Sequence, residues 1–319
     1  MSAATPPRNP FQEDGLWLRC ALHAHTTESD GELAPSQLAD HYARAGYDVL
    51  AITDHWLRTD APANGRLVVL PSTELNVLLP GERDGHLLGL GIDGDPTPLL
   101  AARPDLAAGV SWVLERGGVA YLAHPYWTGA PTALAFPPGL SGIEVYNAGC
   151  DLEVGRGLAA VHWDEALEAG RLCYGIASDD SHLPGFDSDL AWVLVRSPER
   201  SPEAVLAALA SGAFYSSSGP VIHELTVTET AVEALTTPAR SITLCTGRER
   251  GARANAGRLG LRHRAEVLAT SDGGGIIAAR LERPKGAQYG RLEVVDLLGR
   301  TAWTNPLWFA SQSSAQTEL

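Results

Sequence analysis

LHAHTTESDG (Leu22–Gly31) closes a short apolar run, Leu16–Leu22, with two histidines two residues apart and an aspartate soon after. In extended chain, side chains at i and i+2 point to the same side, so His23 and His25 can reach one site. The spacing recurs as Asp180 and His182 in SDDSH (Ser178–His182). Of the ten histidines, six (His23, His25, His55, His86, His124 and His182) are read as falling at or just beyond the C-terminal ends of predicted strands. Asp30, Asp54, Glu74, Asp179 and Asp180 are placed likewise. In a parallel α/β barrel the strand C-termini converge on one mouth, where active sites are built. Carboxylates crowded there would repel one another and protonate unless divalent cations neutralised them. A mixed His and carboxylate set suits Zn, Mn or Fe better than Mg or Ca. His41, His162, His223 and His263 lie in predicted helices or in the later β-rich region and are assigned to structure or surface.

Working outward, short apolar runs alternate with helical patterns over the first two-thirds of the chain. Predicted strands are Leu16–Leu22, Asp48–Thr53, Leu67–Pro71, His86–Ile92, Val119–Ala123, Gly142–Tyr146 and Cys173–Ala177. Predicted helices are Pro35–Ala45, Asp105–Arg116, Arg156–Ala169 and Pro202–Leu209. Strands separated by helices imply parallel βαβ units and a closed or nearly closed barrel. After the turn-rich FYSSSGP (Phe214–Pro220) come short alternating runs broken by Gly-rich stretches, the rhythm of a small antiparallel β-domain. The expected division is a flexible N-terminus (1–15), a barrel (16–220), a β-rich domain (221–310) and a flexible tail (311–319).

The 319 residues are 45 % hydrophobic, enough for a sizeable core, and carry a net charge of −14. A surface that acidic disfavours general nucleic-acid binding. The four cysteines are scattered and form no CxxC, a pattern of reduced thiols in a cytoplasmic protein. The first fifteen residues contain no apolar run, so no signal peptide is expected, and no segment has the length of a membrane span. Neither a nucleotide-binding glycine fingerprint nor a G-x-S-x-G nucleophile elbow is found, which disfavours a serine hydrolase.

LHAHTTESDG, ITDH (Ile52–His55), STEL (Ser72–Leu75), HLLGLGI (His86–Ile92), AHP (Ala123–Pro125) and SDDSH occur in the order of the polymerase and histidinol phosphatase (PHP) superfamily, which the chain resembles over about residues 18–183. SGAFYSSSGP (Ser211–Pro220) and GRTAWTNPLW (Gly299–Trp308) look like the CehA/McbA-type metallohydrolases of that superfamily. The resemblance implies a distorted (β/α)7 barrel holding two or three divalent ions (Zn, Mn or Fe). By the family's pattern, His23, His25, Glu74 and Asp180 would bind one ion. Glu74, His86 and His124 would bind a second, and Asp30, His55 and His182 a third. Asp179 is a candidate to support Asp180 from behind.

The resemblance leans toward a phosphoesterase acting on a small phosphate mono- or diester through a metal-activated hydroxide. Glu74, Asp180 and His182 would be the catalytic residues. Arg58, three residues after His55, is the natural cation for phosphate oxygens, and Tyr126 and Trp127 would form an apolar wall. No Lys or Arg lies between Arg116 and Arg156, which keeps open a carbamate, amide or ester hydrolase on the same centre. A non-catalytic metal-binding module is the third alternative, although every ligand position of the pattern is occupied. The expected partner is a small-molecule ester, with no membrane; an oligomer is compatible with the sequence.

Overall fold

The apolar runs of the N-terminal part become ten strands: β1 (Leu16–Ala21), β2 (Val49–Ile52), β3 (Val68–Pro71), β4 (Thr73–Leu79), β5 (Arg83–Leu90), β6 (Val119–Ala123), β7 (Leu140–Asn147), β8 (Tyr174–Ser178), β9 (Trp192–Ser197) and β10 (Phe214–Ser217). Six helices accompany them: α1 (Pro35–Arg44), α2 (Thr97–Leu100), α3 (Leu106–Glu115), α4 (Ala148–Val154), α5 (Ala160–Glu168) and α6 (Pro202–Ser211). The structure, a computed structural model, describes residues 8–62, 65, 67–257 and 262–309. The chain divides into two units at Gly219/Pro220.

The N-terminal unit is not a continuous parallel (β/α)7 barrel. One sheet has the order β10-β9-β1-β2-β3 and the other β4-β5-β6-β7-β8. Pairing is parallel within β1-β2-β3 and β6-β7-β8, whereas β9 and β5 run antiparallel to both of their neighbours. The reason is connection length. Only Pro80–Glu82 joins β4 to β5, with Gly81 and Glu82 at φ 82° and 57°, and so short a turn can only make a hairpin. The helix expected at Arg156–Ala169 starts later, as α5, and α4 before it was not expected. α4 ends on the left-handed Gly155 (φ 69°), and α5 starts at Ala160.

The two sheets share an apolar interior. Leu18, Cys20 and Leu22 along β1 meet Val49 and Ala51, Leu88 and Leu90, Tyr121, Ile176, Val193 and Phe214 there. The alternate residues Ala21, Leu50 and Ile52 instead pack beneath Leu38 and Tyr42 of α1. Burial on both faces explains why these strands read as unbroken apolar runs. Asp105 caps α3 by accepting from Ala108 N, and Ser201 caps α6 by accepting from Ala204 N. Residues 8–15 are tied down: Phe11 stacks on Tyr215 with centroids 5.6 Å apart, and Arg196 Nε donates to Glu13 O at 2.8 Å. Residues 1–7 and the tail at 311–319 lie outside the described residues.

The C-terminal unit is antiparallel throughout: β11 (Ile222–Val227), β12 (Ala231–Cys245), β13 (Gly251–Asn255), β14 (Arg262–His263), β15 (Ala265–Thr270), β16 (Ile276–Glu282), β17 (Tyr289–Asp296), β18 (Thr301–Thr304) and β19 (Leu307–Trp308). β12 is its hub, pairing with β11, β13, β16 and β17. Pro238 falls where the β12–β16 register shifts, between Leu235 and Ala239, so its missing N–H interrupts no regular ladder there. No helix among the described residues is long and apolar enough to cross a membrane.

The β7–β8 pairing depends on Gly142. A Cβ at this position would stand 2.0 Å from Tyr174 O and 2.9 Å from the Tyr121 ring, and backbone cannot yield cheaply. Gly142→Ala should therefore destabilise the protein by about 1–3 kcal/mol, lowering the calorimetric melting temperature by several degrees. An unchanged melting temperature would show that these strands can part without cost.

Candidate metal centre

Parallel pairing carries the sequence spacing into three dimensions. Past the ends of β1 and β8, Ala24 bridges Ser181 in parallel register, with Asp180 N donating to His23 O (3.1 Å) and His25 N to Ser181 O (2.9 Å). His23-x-His25 and Asp180-x-His182 thus run side by side. A second bridge joins His55, beyond β2, to Glu74 at the start of β4. His124 follows β6. His86 arrives differently: it lies inside β5, opposite Asn76 and Ala123, and reaches the site because β5 runs antiparallel.

Glu74 is at the centre and is only 1 % exposed. Its Oε2 lies 3.2 Å from His23 Nε2, 3.3 Å from His25 Nε2 and 3.3 Å from His55 Nδ1. Its Oε1 lies 2.8 Å from His86 Nδ1 and 3.0 Å from His124 Nε2. Asp180 Oδ1 is 3.0 Å from His23 Nε2 and 3.2 Å from His25 Nε2. At the solvent edge, Asp30 is 3.5 Å from His182 Nε2 and 3.6 Å from His55 Nε2. All nine predicted donors are therefore gathered in one region.

Three donor groups are close enough to hold a cation: His23, His25, Glu74 and Asp180; His25, Asp30, His55 and His182; and His55, Glu74 and His86. The grouping differs from the expected one, since His25 serves two groups and His55 stands in the third where His124 was expected. Donor atoms bonded to one ion at about 2.0–2.2 Å stand roughly 3–3.5 Å apart, and the contacts above match that spacing. The buried His23 Nε2 and His55 Nδ1 make no hydrogen bond although both face Glu74 Oε2. Two imidazole nitrogens converging on one carboxylate oxygen without a hydrogen bond suit a shared metal better than a hydrogen-bond network.

Electrostatics holds the charges in place. Burial opposes ionisation of Glu74, but His23 and His86 outweigh it and keep its pKa well below the ordinary value. Burial likewise disfavours charge on His23, yet Asp180, Glu74 and Glu144 raise its pKa well above normal. His25 is pushed up to about 9, its burial overcome by Asp180 and Glu74. His55 moves the other way, because desolvation there exceeds the attraction of Glu74.

Four further carboxylates support the donors. Glu144 is fully buried. It takes His23 Nδ1 at 2.8 Å, His124 N at 2.8 Å, Asn147 Nδ2 at 2.9 Å and the Ser178 hydroxyl. This carboxylate–histidine contact orients His23 toward its ligand position. Asp54 accepts from Thr26 N and from the hydroxyls of Thr26, Ser29 and Thr59, shaping the loop that carries Asp30. Asp179 accepts from three backbone amides, Asp189, Leu190 and Ala191, and from Tyr42 Oη. Asp187 accepts from Ser181 Oγ and from the amides of His182 and Leu183. Asn76, not expected at the site, joins Trp56 Nε1 (2.8 Å) to His86 Nε2 (2.9 Å) through its amide, and only the β4–β5 register brings it there.

Above the donors opens a cleft of about 530 Å³, lined also by Trp127, Cys150, Leu152, Glu153, Leu183 and Phe186. Arg58 is not among the lining residues, contrary to expectation. Its Nε donates to Ile92 O (3.2 Å) and its guanidinium pairs with Asp60 (2.7 Å). Tyr126 does not line the cleft either; its ring lies 6.4 Å from that of His162 and under Arg156 at 5.6 Å. Trp127 does line it. His41 and His162 bond Ser188 Oγ and Ala130 O, outside the cluster.

No family model matches the chain. A 100-residue segment is 36 % identical to the 3′,5′-nucleoside bisphosphate phosphatase of Chromobacterium violaceum, covering 30 % of this chain and 32 % of that protein. The chain thus spans about a third of the length of that curated relative. Among solved structures it is similar to a two-domain protein from Bacteroides vulgatus containing a predicted PHP-like metal-dependent phosphoesterase. The TM-score is 0.50 at 15 % identity, with 93 % of this chain and 95 % of the other covered. That likeness shows that the two chains share a fold.

Two measurements test the centre. Glu74→Gln should lower bound metal measurably by elemental analysis, since a neutral amide bridges cations poorly; full stoichiometry would reject Glu74 as the shared ligand. Asp180 and Glu74 overcome burial at His23 and His25, raising both pKa values, that of His25 to about 9, and so favour protons that an incoming cation must displace. Mn²⁺ titration at pH 7 should give heats that depend on the buffer's ionisation enthalpy, with affinity falling as pH drops. Heats independent of buffer would show that those imidazoles are already neutral.

Proposed function

We propose that this chain is a metal-dependent hydrolase, first of all a phosphoesterase acting on a small phosphate ester. The observation that supports this most is Glu74, a buried carboxylate among five imidazoles on the floor of an open cleft. Two or three divalent ions (Zn, Mn or Fe) would be held by His23, His25, Glu74 and Asp180, by Glu74 with His55, His86 and His124, and by Asp30, His55 and His182 with His25. Bound there, they would supply Lewis-acid charge and lower the pKa of water toward neutrality.

The remaining work falls to the chain. Glu74 and Asp180 stay ionised and keep the donors facing inward. The His182 ring bonds Asp180 O through Nδ1 at 3.0 Å; a carbonyl only accepts, so Nδ1 carries the proton and Nε2 is left to face the cleft. That nitrogen can ligate or pass a proton at the open edge, beside Asp30. Trp127 and its apolar neighbours exclude water from one side of the cleft.

The curated relative is named for a nucleoside bisphosphate, and we carry over only the ester class. A second reading, hydrolysis of a carbamate, amide or carboxylic ester as the CehA/McbA resemblance implies, draws support from the cleft itself. No Arg or Lys occurs among its described lining residues. Free Cys20, Cys150 and Cys173 are buried and Cys245 is partly so, in keeping with the proposed cytoplasmic location.

Metal-loaded protein should hydrolyse p-nitrophenyl phosphate or bis-p-nitrophenyl phosphate, and Asp180→Asn should depress that activity by at least a hundredfold. Turnover of 1-naphthyl carbamate alone would transfer the assignment to the second reading, and no turnover of any would favour a non-catalytic module. Because Arg58 is engaged by Asp60 and Ile92, Arg58→Ala should change kcat/KM less than about threefold on every substrate. A selective loss on the monoester would place its guanidinium at the substrate after all.

A further inference from the structure

The floor of the cleft is charged and its side wall is not. Trp127 stands beside the donors, its ring edge-on to His124 with centroids 5.1 Å apart. Its Nε1 donates to Glu153 Oε2 at 3.0 Å, which sets the plane of the indole. Leu152 comes from α4, and Leu183 and Phe186 from the segment after β8. These three side chains are 52 %, 51 % and 70 % exposed, although such residues are ordinarily buried. The turn that presents Leu183 and Phe186 is anchored, because Asp187 holds the amides of His182 and Leu183 and Phe186 N donates to Leu183 O at 2.9 Å. Scattered single apolar residues need no explanation, but several converging on one reactive cleft form a binding surface.

Charge narrows what can lie on it. Beyond the metal donors, the charged side chains lining the cleft are Glu153 and Asp187, both acidic. Dianionic phosphates are commonly held by Arg or Lys forks, and none is found among the described lining residues. Resting on the phosphoesterase reading, we infer that the substrate is a monoanionic phosphodiester with an aromatic leaving group, selected by Trp127, Leu183 and Phe186. The aryl ring lies on the apolar wall while the phosphodiester sits over the donors. Hydrolysis forms a bond from the oxygen of water to phosphorus and breaks the bond from phosphorus to the aryl oxygen. That oxygen leaves with the electron pair and takes one proton from water, giving a phenol and a phosphate monoester that keeps the other. The curated relative is named for a more highly charged substrate, a nucleoside bisphosphate, so the inference divides this cleft from that one.

The holoenzyme is assayed on bis-p-nitrophenyl phosphate, p-nitrophenyl phosphate and adenosine 3′,5′-bisphosphate, with 1-naphthol binding to metal-free protein followed by calorimetry. The diester should be preferred in kcat/KM by at least tenfold. Phe186→Ala and Trp127→Ala should each raise its KM about tenfold, or about 1.4 kcal/mol, and weaken naphthol binding at unchanged metal content, and Phe186→Leu should recover part of the loss. Preference for the monoester or bisphosphate, or variants with wild-type KM, would overturn the inference and leave the phosphoesterase reading standing. Naphthol binding without turnover of any phosphoester would overturn that reading, and the substrate class with it.

Discussion

One buried charge governs this molecule. Glu74 lies where water cannot solvate it, and a carboxylate so placed must be protonated or surrounded by positive charge. Five imidazoles within 3.3 Å of its oxygens are the protein's part of the answer. They come from the ends of β1, β2 and β6 and from the middle of β5, so the sheets must be aligned before any charge is satisfied. Pairing direction and register in the N-terminal unit are thereby tied to the chemistry of its mouth.

Bringing the donors together strains the backbone. His124 and Asp180 adopt φ 23° and 55°, conformations that side chains with a Cβ seldom take and that cost of order 1–3 kcal/mol each. Each is held by a specific bond, His124 N to Glu144 Oε2 and Asp180 N to His23 O. The same logic accounts for part of the acidic composition. Asp54, Glu144, Asp179 and Asp187 each gather several N–H or O–H groups from a loop that carries or flanks a donor. Burial pushes Asp179 up to about 6 even against three backbone amides, a sign of how enclosed these anchors are.

The cleft above this floor is asymmetric. Cationic character is confined to the donor cluster, and the far wall is indole, phenyl and leucine. On the proposed reading, such a site would recognise its ligand by apolar shape and leave charge to the centre. Arg58, three residues after His55, is directed elsewhere by Asp60.

The donor chemistry was legible in the sequence. Five strand-end histidines, the two i, i+2 pairs, Glu74 and Asp30 required only local geometry, because alternation along a strand is a property of the backbone itself. The helix beginning at Asp105 and the buried strands were legible for similar reasons. What the sequence left undetermined was everything set by pairing between distant segments. Alternation says which residues share a face, but not which strand lies alongside or in which direction. The hairpin that turns β5 around, and with it the route by which His86 arrives, was decided by tertiary structure. So were the role of Glu144, 121 residues from His23, the removal of Arg58 and Tyr126 from the cleft, and the apolar wall completed by Phe186. Each depends on which groups remain nearest once the core has closed, and that is decided by packing rather than by spacing along the chain.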